Sequence, residues 1–413
     1  MQCSSLNPQG TGNREQETVN RPIRILRIIN RFNLGGPTYN VAYLTKYLAP
    51  EYETLLIGGE KDASEADSDF IVKNLGLEPK IIHGMKRSIN PFSDYKAYRE
   101  IRSIIREFRP DIVHTHASKA GALGRYAAIK EKVPVIVHTF HGHVFHSYFS
   151  GITTSVFKRI ERYLAKKSSA IIAISGIQKK ELCDEHQICS PGKVTVIPLG
   201  FDLDRFQQGN GEKRSAFRKE WNIGEDEIVV SIIGRLVPVK NHKLFIDAAA
   251  AILQSEIRNV KFLIVGDGEL RGQLEEQVNE LSMGTPSIKD RVIFTSWIKE
   301  VDQVLAASDI VALTSWNEGT PVSLIEAHAS SCPVVTTRAG GVEDIVQHEQ
   351  TGFVSDPGDT DTFTANLKKL INNRELRLSM ASRARDRVLK QYSYQRLVSD
   401  TSRLYRRLLS PNG

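Results

Sequence analysis

The sequence has few cysteines and no long hydrophobic run. Its 413 residues include four cysteines and no Cys-x-x-Cys pair. Such a set provides neither a disulfide framework nor a zinc site, and it indicates a reducing, cytoplasmic setting. No stretch approaches the roughly 20 apolar residues of a membrane-spanning helix. The polar first 21 residues lack the charged and then apolar pattern of a secretory signal, so we expect a disordered tail there.

Two common nucleotide-binding motifs are also missing. After Gly266-Asp267-Gly268 the third glycine is Gly272, one residue too late for the dinucleotide fingerprint, and the Lys-Ser/Thr pair of a phosphate-binding loop is absent. The sequence therefore favours neither a nicotinamide enzyme nor a P-loop NTPase. Three Asp-x-Asp pairs lie in polar, loop-like surroundings, which indicates turns instead of a metal–nucleotide site.

Acidic residues are scarce in the first half of the chain. Residues 1–200 hold 28 Lys and Arg against 19 Asp and Glu, whereas residues 201–413 hold 27 against 29. A basic first half is compatible with an anionic acceptor or an anionic membrane surface, and equally with an ordinary solvated face. The basic residues are not interleaved with aromatic residues, so we expect no nucleic-acid partner.

Short apolar runs alternate with helical patterns along most of the chain. This alternation predicts parallel sheets covered by helices, with ligands bound at the carboxyl ends of the strands. It is interrupted at Pro198-Leu199-Gly200-Phe201-Asp202 and then restarts. We therefore expect an α/β protein with a first domain over residues 22–199 and a second over residues 200–390. The predicted strands are Ile23–Ile29, Thr54–Ile57, Lys80–Ile82, Asp111–His114, Val133–Thr139, Ala170–Ile174, Val194–Ile197, Ile228–Ile233, Lys261–Val265, Val292–Phe294, Ile310–Leu313 and Val334–Thr336.

A helix is predicted directly after the strand Ile310–Leu313. Thr320 suits its N-cap and Pro321 its first position. The free N–H groups of Val322 and Ser323, together with the positive end of the helix dipole, would then bind an anionic group such as a diphosphate.

Two carboxylates flank this helix start. Glu318 precedes the helix, and Glu326 lies about a turn and a half inside it. They are too far apart to touch the same atom, so this spacing would hold two parts of one extended ligand. An exposed glutamate at a helix start, with an incidental second one, explains the pattern equally well in isolation.

Other strand exits are rich in glycine. Gly35-Gly36-Pro37 leads from the first strand into a helix, and Gly340-Gly341 follows Val334–Thr336. Glycines there let the backbone approach a ligand closely, although a plain tight turn has the same composition.

Histidines cluster after two strands of the first domain. His138, His141, His143 and His146 lie close together in sequence. On a strand-to-loop segment they would not converge on a metal, and no carboxylate or cysteine completes a set. We expect His141 to hydrogen-bond a polar ligand and the others to be structural.

Ser155–Lys167 has the pattern of a basic amphipathic helix. Val156, Ile160, Tyr163 and Leu164 fall on one side, with five cations elsewhere. Such a helix can lie on an anionic bilayer. We expect instead that its apolar side packs on the sheet and that its cations face water.

In order and spacing, several of these motifs resemble the GT4 family of retaining glycosyltransferases. The motifs are the Gly35-Gly36 loop, His-Thr-Phe-His-Gly-His at residues 138–143, Gly-Arg-Leu-x-x-x-Lys-Asn at residues 234–241, and the pair Glu318 and Glu326. The resemblance covers residues 22–408. It implies the GT-B fold, in which two Rossmann-like domains face each other and a last helix, here Tyr394–Leu409, crosses back to the first domain.

The resemblance also implies site residues. The donor diphosphate would be bound by Arg235, Lys240, Gly35, Gly36, Val322 and Ser323. The ribose would be bound by Glu326, and the base would lie near Trp297 and Ile298. The transferred sugar would be bound by Glu318, Gly319 and Thr320, with Glu318 and His141 as the catalytic residues.

The implied reaction needs no metal or other cofactor. A hexosyl or N-acetylhexosaminyl group would move from a nucleotide diphosphate sugar, most simply a UDP-sugar, to a hydroxyl group with retained anomeric configuration. Domain closure about Leu199–Asp202 would assemble the site. Lys119-Ala120-Gly121 with Gly124-Arg125 resembles members that build cell-surface polysaccharides. The resemblance therefore points to a lipid-linked or polysaccharide acceptor and to peripheral association with the inner face of a membrane.

Two alternatives share this fold. A nucleotide-sugar 2-epimerase would need no acceptor and would convert the donor into a different nucleotide sugar. A non-catalytic relative would bind a nucleotide sugar without transferring it. The presence of all five polar residues of the motifs argues against this alternative; they are Glu318, Glu326, Arg235, Lys240 and His141.

Overall fold

The computed structural model describes residues 21–32, 36–59, 69–86, 88, 90–142, 151–255, 257 and 259–410, with residues 69 and 151–153 described by their backbone alone. The predicted tail over residues 1–20, Gly35, His143 and His146 lie outside the described residues. Arg21, the last residue of the predicted tail, forms a two-fold ion pair with Asp111, with N···O distances of 2.7 and 3.0 Å.

In the described residues of the first half, seven parallel strands form one sheet. In chain order they are β1 (Ile23–Arg31), β2 (Tyr52–Gly59), β3 (Lys80–Ile82), β4 (Ile112–His116), β5 (Val135–Thr139), β6 (Ala170–Ala173) and β7 (Val194–Val196). Their order across the sheet is β3-β2-β1-β4-β5-β6-β7. The helices are α1 (Gly36–Tyr47), α2 (Asp69–Asn74), α3 (Pro91–Phe108), α4 (Ser118–Lys130), α5 (Gly151–Lys167) and α6 (Gly176–Lys180), followed by a π-helical turn, Glu181–Glu185.

The second half repeats this architecture with six described strands. They are β8 (Ile228–Ile233), β9 (Val260–Val265), β10 (Val292–Ser296), β11 (Ile310–Leu313), β12 (Val334–Thr337) and β13 (Gly352–Ser355), in the order β10-β9-β8-β11-β12-β13. The helices are α7 (Asn210–Glu220), α8 (His242–Leu253), α9 (Arg271–Gly284), α10 (Ser287–Arg291), α11 (Val301–Ala307), α12 (Val322–Ala329), α13 (Val342–Ile345), α14 (Thr360–Asn372), α15 (Arg374–Tyr392) and α16 (Tyr394–Leu409). Short 3₁₀ turns lie at Pro191–Lys193, Asp204–Phe206 and Pro238–Lys240.

The sequence-based prediction of two parallel sheets is confirmed. All twelve predicted strands overlap observed ones, and their ends differ by a few residues. The edge strand β13 was not predicted. Its sequence, Gly-Phe-Val-Ser, is short and contains just two large apolar residues, so it carries little periodic signal.

The last helix packs against the first sheet, as the resemblance implied. Leu397, Leu404 and Tyr405 of α16 belong to the same buried cluster as Ile25 of β1. The backbone of Phe201 pairs with Ser393 where the chain enters α16. Arg396 donates from Nη2 to the carbonyl groups of Pro198 and Leu199 at 2.8 and 2.7 Å. These bonds fasten the start of the helix to the segment between the two sheets.

Helix α4 lies very close to the first sheet because two of its residues are glycines. A Cβ atom at Gly121 would lie 2.4 Å from Cε1 of His138, and one at Gly124 would lie 2.7 Å from Cγ2 of Thr115. The buried Arg125 donates from Nη2 to both carboxylate oxygens of Glu161 on α5, at 2.8 and 2.6 Å. The Lys-Ala-Gly…Gly-Arg motif therefore packs α4 between the sheet and α5.

The predicted orientation of α5 is wrong for three of its four apolar residues. Leu164 is buried, but Val156, Ile160 and Tyr163 are 54%, 42% and 48% exposed. The inward side of the helix is occupied by Leu164, by Ala165 and by the carboxylate of Glu161 in its ion pair with Arg125. An apolar stripe therefore faces outward. Within the described ranges, no helix is both long and apolar enough to cross a membrane.

We expect Gly121→Ala to destabilise the protein. The added Cβ would press on the His138 ring, which is buried and bonded to Thr115 Oγ1 at 2.8 Å and cannot easily move. Overpacking of this kind lowers the free energy of unfolding by about 1–3 kcal/mol, measurable by urea denaturation. Gly272→Ala in α9 is the matched control, because a Cβ there meets nothing within 4 Å. Equal stability of the two variants would contradict this account of α4.

Candidate active site

The exits of strands β8 and β9 pack backbone against backbone. Gly266 has a φ of +145°, and a Cβ there would lie 1.9 Å from the carbonyl oxygen of Gly234. The amide of Leu236 donates to the carbonyl of Asp267 at 2.9 Å. Gly266 also donates to the carbonyl of Ser296, at the end of β10, at 3.0 Å. Three neighbouring exits are therefore locked together at the carboxyl edge of the second sheet.

Lys240 and Glu318 meet at this edge. Lys240 follows β8 and Glu318 follows β11, the strand next to it, and Lys240 Nζ donates to Glu318 Oε1 at 2.6 Å. Ser315 Oγ donates to the same carboxylate oxygen at 2.6 Å. The side chains of Lys240 and Glu318 are 23% and 11% exposed. The contact fixes a carboxylate beside a cation in a partly enclosed position, where their interaction is stronger than in bulk water.

The glycine pair after β12 supports the backbone of Glu318. Gly340 has a φ of +50°, and a Cβ there would lie 1.8 Å from the Glu318 carbonyl oxygen. The amide of Gly341 donates to the carbonyl of Gly319 at 3.1 Å. A side chain at either position would displace Glu318 and Gly319, so these glycines are needed for close approach.

Helix α12 begins one residue later than predicted. Pro321 has a ψ of 92° and is the N-cap residue, and no side-chain hydrogen bond caps the helix. The predicted capping by Thr320 is therefore wrong, because the extended Pro321 separates Thr320 from the first turn. Val322 and Ser323 are the first helical residues. Their N–H groups have no acceptor within the helix, because no helical carbonyl lies four residues before them.

Arg235 lies in the same group of loops. It is exposed, and within the described residues no hydrogen bond or ion pair occupies its guanidinium group. Cε of Lys240 would lie 3.8 Å from a Cβ at Gly234, the residue before Arg235. The loop after β8 therefore carries both Lys240, held by Glu318, and Arg235, which is uncommitted.

Glu326 forms an ion pair with Arg205. Arg205 Nη2 lies 3.7 Å from Glu326 Oε1, and the Glu326 side chain is 19% exposed. Burial raises the pKa of the Glu326 carboxyl from 4.5 to about 7, with a smaller lowering by Arg205 and a further raising by Asp302. Tyr39 of α1 is buried, which raises its pKa, and it lies close enough to Arg205 and Glu326 for their charges to change its pKa as well. Helix α1 of the first domain therefore borders the Glu326 end of the site.

The histidines of the first domain form pairs. His116 Nδ1 lies 3.0 Å from His141 Nε2. His114 Nδ1 lies 2.5 Å from the Tyr405 hydroxyl, and its Nε2 lies 2.7 Å from Thr139 Oγ1. His138 bonds to Thr115 on the other face of the sheet, against α4.

These imidazoles are neutral at physiological pH. Burial lowers the pKa of His141 to about 3, and it lowers the pKa values of His114, His116 and His138 well below 6.5. Arg27, buried beside His114, adds a positive charge that lowers the pKa of His114 further. Among the described residues, no group of three or more His, Cys, Asp or Glu side chains is arranged to hold a metal ion.

The remaining predicted residues lie at other positions around the two sheets. Trp297, directly after β10, is 61% exposed, and Ile298 is partly buried. Gly36 starts α1, and a Cβ there would lie 2.9 Å from Leu199 Cδ1 in the segment between the domains. Gly36 therefore has a packing role whatever it binds.

Two family models match the chain. Residues 34–205 match "Glycosyltransferase Family 4", and residues 213–387 match "Glycosyl transferases group 1". One relative is the UDP-Gal:alpha-D-GlcNAc-diphosphoundecaprenol alpha-1,3-galactosyltransferase of Escherichia coli. It is 31% identical over 320 residues, which are 77% of this chain and 81% of the relative. The chain belongs to the GT4 family of glycosyltransferases.

Further comparisons agree with this assignment. The capsular polysaccharide biosynthesis glycosyltransferase CapM of Staphylococcus aureus is 27% identical over 79% of this chain and 84% of its own length. The structure of HepE from Anabaena in complex with UDP aligns over 93% of this glycosyltransferase and all of its own chain, with a TM-score of 0.78 and 21% identity. WaaG, a glycosyltransferase involved in lipopolysaccharide biosynthesis, aligns with a TM-score of 0.67 and 17% identity over 92% of this chain and 99% of its own. The predicted GT-B fold is confirmed.

Several residues of the site were not predicted from the sequence. Arg205 follows an Asp-x-Asp pair interpreted as a turn, and nothing local connects it to Glu326, 121 positions away. Ser315 and Tyr39 likewise carry no motif. His116 was given no role from the sequence, yet it contacts the predicted ligand-binding His141 directly.

Glu326→Gln should stabilise the ligand-free glycosyltransferase at high pH. A carboxyl whose pKa is about 7 when folded and 4.5 when unfolded contributes stability that is complete below 4.5 and is lost as pH rises through 7. The neutral Gln keeps that contribution. We expect little difference from wild type at about pH 5 and a gain on the order of 2 kcal/mol at about pH 8.5, measured by urea unfolding.

A matched control for this measurement is Glu280→Gln, which changes an exposed residue of α9. It should show no such dependence on pH. A Glu326→Gln variant whose difference from wild type is the same at both pH values would contradict the raised pKa.

Proposed function

We propose that this glycosyltransferase moves a hexosyl or N-acetylhexosaminyl group from a nucleotide diphosphate sugar, with UDP as the favoured nucleotide, to a hydroxyl of a lipid-linked or polysaccharide acceptor. The transfer retains the anomeric configuration and needs no metal ion. The observation that carries the proposal is the group of Lys240, Glu318, Arg235 and the uncapped start of α12 at one sheet edge. This group provides positive charge for a diphosphate and a fixed carboxylate for a sugar.

The cations of this edge suit a leaving diphosphate. Arg235 is uncommitted, so its charge is free to meet the nucleotide diphosphate as it departs. Lys240 lies in the same loop and is positioned by the carboxylate of Glu318. The N–H groups of Val322 and Ser323 add the positive end of the α12 dipole. Pre-positioned positive charge of this kind stabilises the negative charge that develops on the leaving group. It stabilises the developing charge in the way that a bound divalent cation otherwise would.

The two carboxylates hold different parts of the donor in this proposal. Glu318, with Gly319 and Thr320, binds the transferred sugar, and Glu326 accepts hydrogen bonds from the ribose hydroxyls. Trp297 and Ile298 border the base. The support is positional: Glu318 lies in the loop between β11 and α12, and Glu326 lies inside α12 beside Arg205 and near Tyr39.

The transfer proceeds on one face of the sugar. The bond from the anomeric carbon to the phosphate oxygen breaks, and a bond from the same carbon to the acceptor oxygen forms on the same face. The acceptor's proton passes to the departing phosphate oxygen. Glu318 stabilises the positive charge on the anomeric carbon without forming a bond to it. A glycosyl group trapped on Glu318 in a competent enzyme would contradict this route.

The acceptor is inferred from relatives and from the surface of the first domain. The Escherichia coli relative acts on a diphosphoundecaprenol-linked sugar, and the CapM relative is named for capsular polysaccharide biosynthesis. Helices α4 and α5 together carry eight basic residues and one acidic residue. The exposed apolar side chains Val156, Ile160 and Tyr163 lie on the same helix as exposed Arg159, Lys166 and Lys167. A helix with this composition suits the interface of an anionic membrane.

The donor preference is tested by thermal unfolding and transfer assays. UDP should stabilise the wild-type protein more than GDP, ADP or NAD at equal concentration, because a ligand at about 100 times its Kd adds roughly 2.7 kcal/mol. Glu326→Ala should lose most of that shift. Transfer from a UDP-sugar to a hydroxyl of an acceptor sugar should continue in excess EDTA. NMR of the product should show that the anomeric configuration of the transferred sugar is unchanged. Lys240→Ala should slow it by about 100-fold or more.

Three results would contradict parts of the proposal. A shift with NAD alone would exclude the donor site. Loss of transfer in EDTA, restored by a divalent cation, would exclude a metal-independent reaction. Formation of a new nucleotide sugar in the absence of any acceptor would identify a 2-epimerase instead.

Membrane association is tested with α5 variants. We expect the wild-type protein to co-sediment with vesicles containing phosphatidylserine and to dissociate in high salt, because the attraction is screened. Val156→Glu with Ile160→Glu should reduce the bound fraction by about tenfold or more, since buried apolar area is lost and charge repulsion is added. Met283→Glu on α9 is the control, because Met283 is an exposed apolar residue of the other domain. Equal binding by the two variants would show that α5 does not contact the membrane.

A further inference from the structure

His116 and His141 share one hydrogen bond between two neutral rings. His116 is the last residue of β4 and is fully buried, whereas His141 is partly exposed at the exit of β5. The distance from His116 Nδ1 to His141 Nε2 is 3.0 Å, and the ring centroids are 5.3 Å apart. Because burial keeps both imidazoles neutral, each carries a single ring proton. The bond therefore has two possible arrangements.

In the first arrangement, His116 Nδ1–H donates to His141 Nε2. His141 then carries its own proton on Nδ1, and Nε2 of His116 is unprotonated and has a lone pair. In the second, His141 Nε2–H donates to His116 Nδ1, so His116 must carry a proton on Nε2. Both His116 Nε2 and His141 Nδ1 are buried atoms without a hydrogen-bond partner among the described residues.

The two arrangements differ in where they leave an unsatisfied donor. A buried N–H without an acceptor is among the least tolerated polar groups in proteins. In the second arrangement this donor is His116 Nε2–H, on a residue with no exposed surface. In the first it is His141 Nδ1–H, on a partly exposed residue at the exit of β5. The first arrangement is therefore favoured.

We infer that His116 is a positioning residue that fixes His141 as the Nδ1–H tautomer, so that His141 presents a hydrogen-bond donor to the transferred sugar. The role toward the sugar rests on the proposed function. His116 itself touches neither substrate nor reacting atoms in this assignment, and it acts through the orientation and tautomer of His141.

The surroundings of His116 keep its ring in place. The His114 ring is 4.1 Å from the His116 ring, and His114 is bonded at both nitrogens, to Tyr405 and to Thr139. Tyr405 belongs to α16, and Arg27 Nη1 lies 3.5 Å from its hydroxyl. The last helix therefore anchors His114, and His114 in turn limits rotation of His116.

The tautomer can be measured without any activity. In wild-type protein labelled with ¹⁵N-histidine, the ring signals of His141, identified by their loss in His141→Asn, should show a proton on Nδ1 and none on Nε2. A proton on Nε2 of His141 would overturn the inference, whether or not the proposed transfer takes place.

Kinetics test the consequence for catalysis. His116→Phe keeps a flat ring but removes the donor, and it should lower kcat by about tenfold, the equivalent of one hydrogen bond, while KM for the donor changes by less than about twofold. His116→Asn can donate from its side-chain amide and should recover most of kcat. His138→Asn is the control for disturbance of a buried histidine, because His138 bonds to Thr115 on the other face of the sheet.

Two kinetic outcomes would overturn the inference. One is a folded His116→Phe enzyme with wild-type kcat. The other is an equal loss of kcat in His116→Asn and His116→Phe. Failure of the proposed function would appear differently, as the absence of transfer and of UDP binding in the wild-type protein.

Discussion

The contact between Lys240 and Glu318 organises the second domain's site. It joins the exits of two neighbouring strands, 78 residues apart in sequence, by a 2.6 Å hydrogen bond. The bond requires that both loops have fixed backbones, which explains the glycines around it. Gly266, Gly340 and Gly341 each lie where another backbone approaches too closely for a side chain. Glycines that resembled a ligand-binding loop in sequence thus serve first to bring loops together, and that packing places the charged groups.

The sheets could be predicted from the sequence because buried parallel strands are marked by local apolar runs. The edge strand β13 was not predicted, because a segment of four residues with two large apolar side chains has too little hydrophobic periodicity. Within the candidate site, Glu318, Glu326, Arg235 and Lys240 could be predicted because motifs contain them. Arg205 and Ser315 were not, because their contacts depend on which strands are neighbours and not on any local pattern. The capping assignment at Thr320 failed for a local reason, the extended conformation of Pro321.

Helix α5 shows how apolar periodicity can mislead. The pattern of Val156, Ile160, Tyr163 and Leu164 predicted a face packed on the sheet, yet three of these residues are exposed. The inward side holds instead a buried ion pair, Arg125 with Glu161. A buried ion pair gives little net stability over apolar packing, because both charges lose their hydration. The inward positions that the pattern assigned to apolar residues are thus taken by Glu161, and the apolar stripe faces outward. Periodicity identifies an apolar face but not which surface it meets.

The two domains contribute different chemistry to the site. The second domain supplies charged pairs, and the histidine side of the first domain supplies buried, neutral imidazoles. In the proposed reaction, this division places a positive field where the diphosphate leaves, and near the sugar it places groups that donate hydrogen bonds without adding charge. A protonated His141 would repel the positive charge that develops on the anomeric carbon. Burial keeps these rings neutral across the physiological pH range, and the cation of Arg27 lowers the pKa values of His114 and His116 further. Arg27 is buried without a carboxylate partner in the described part of the chain, and its charge disfavours protonation of His114 and His116, the rings that lie behind His141.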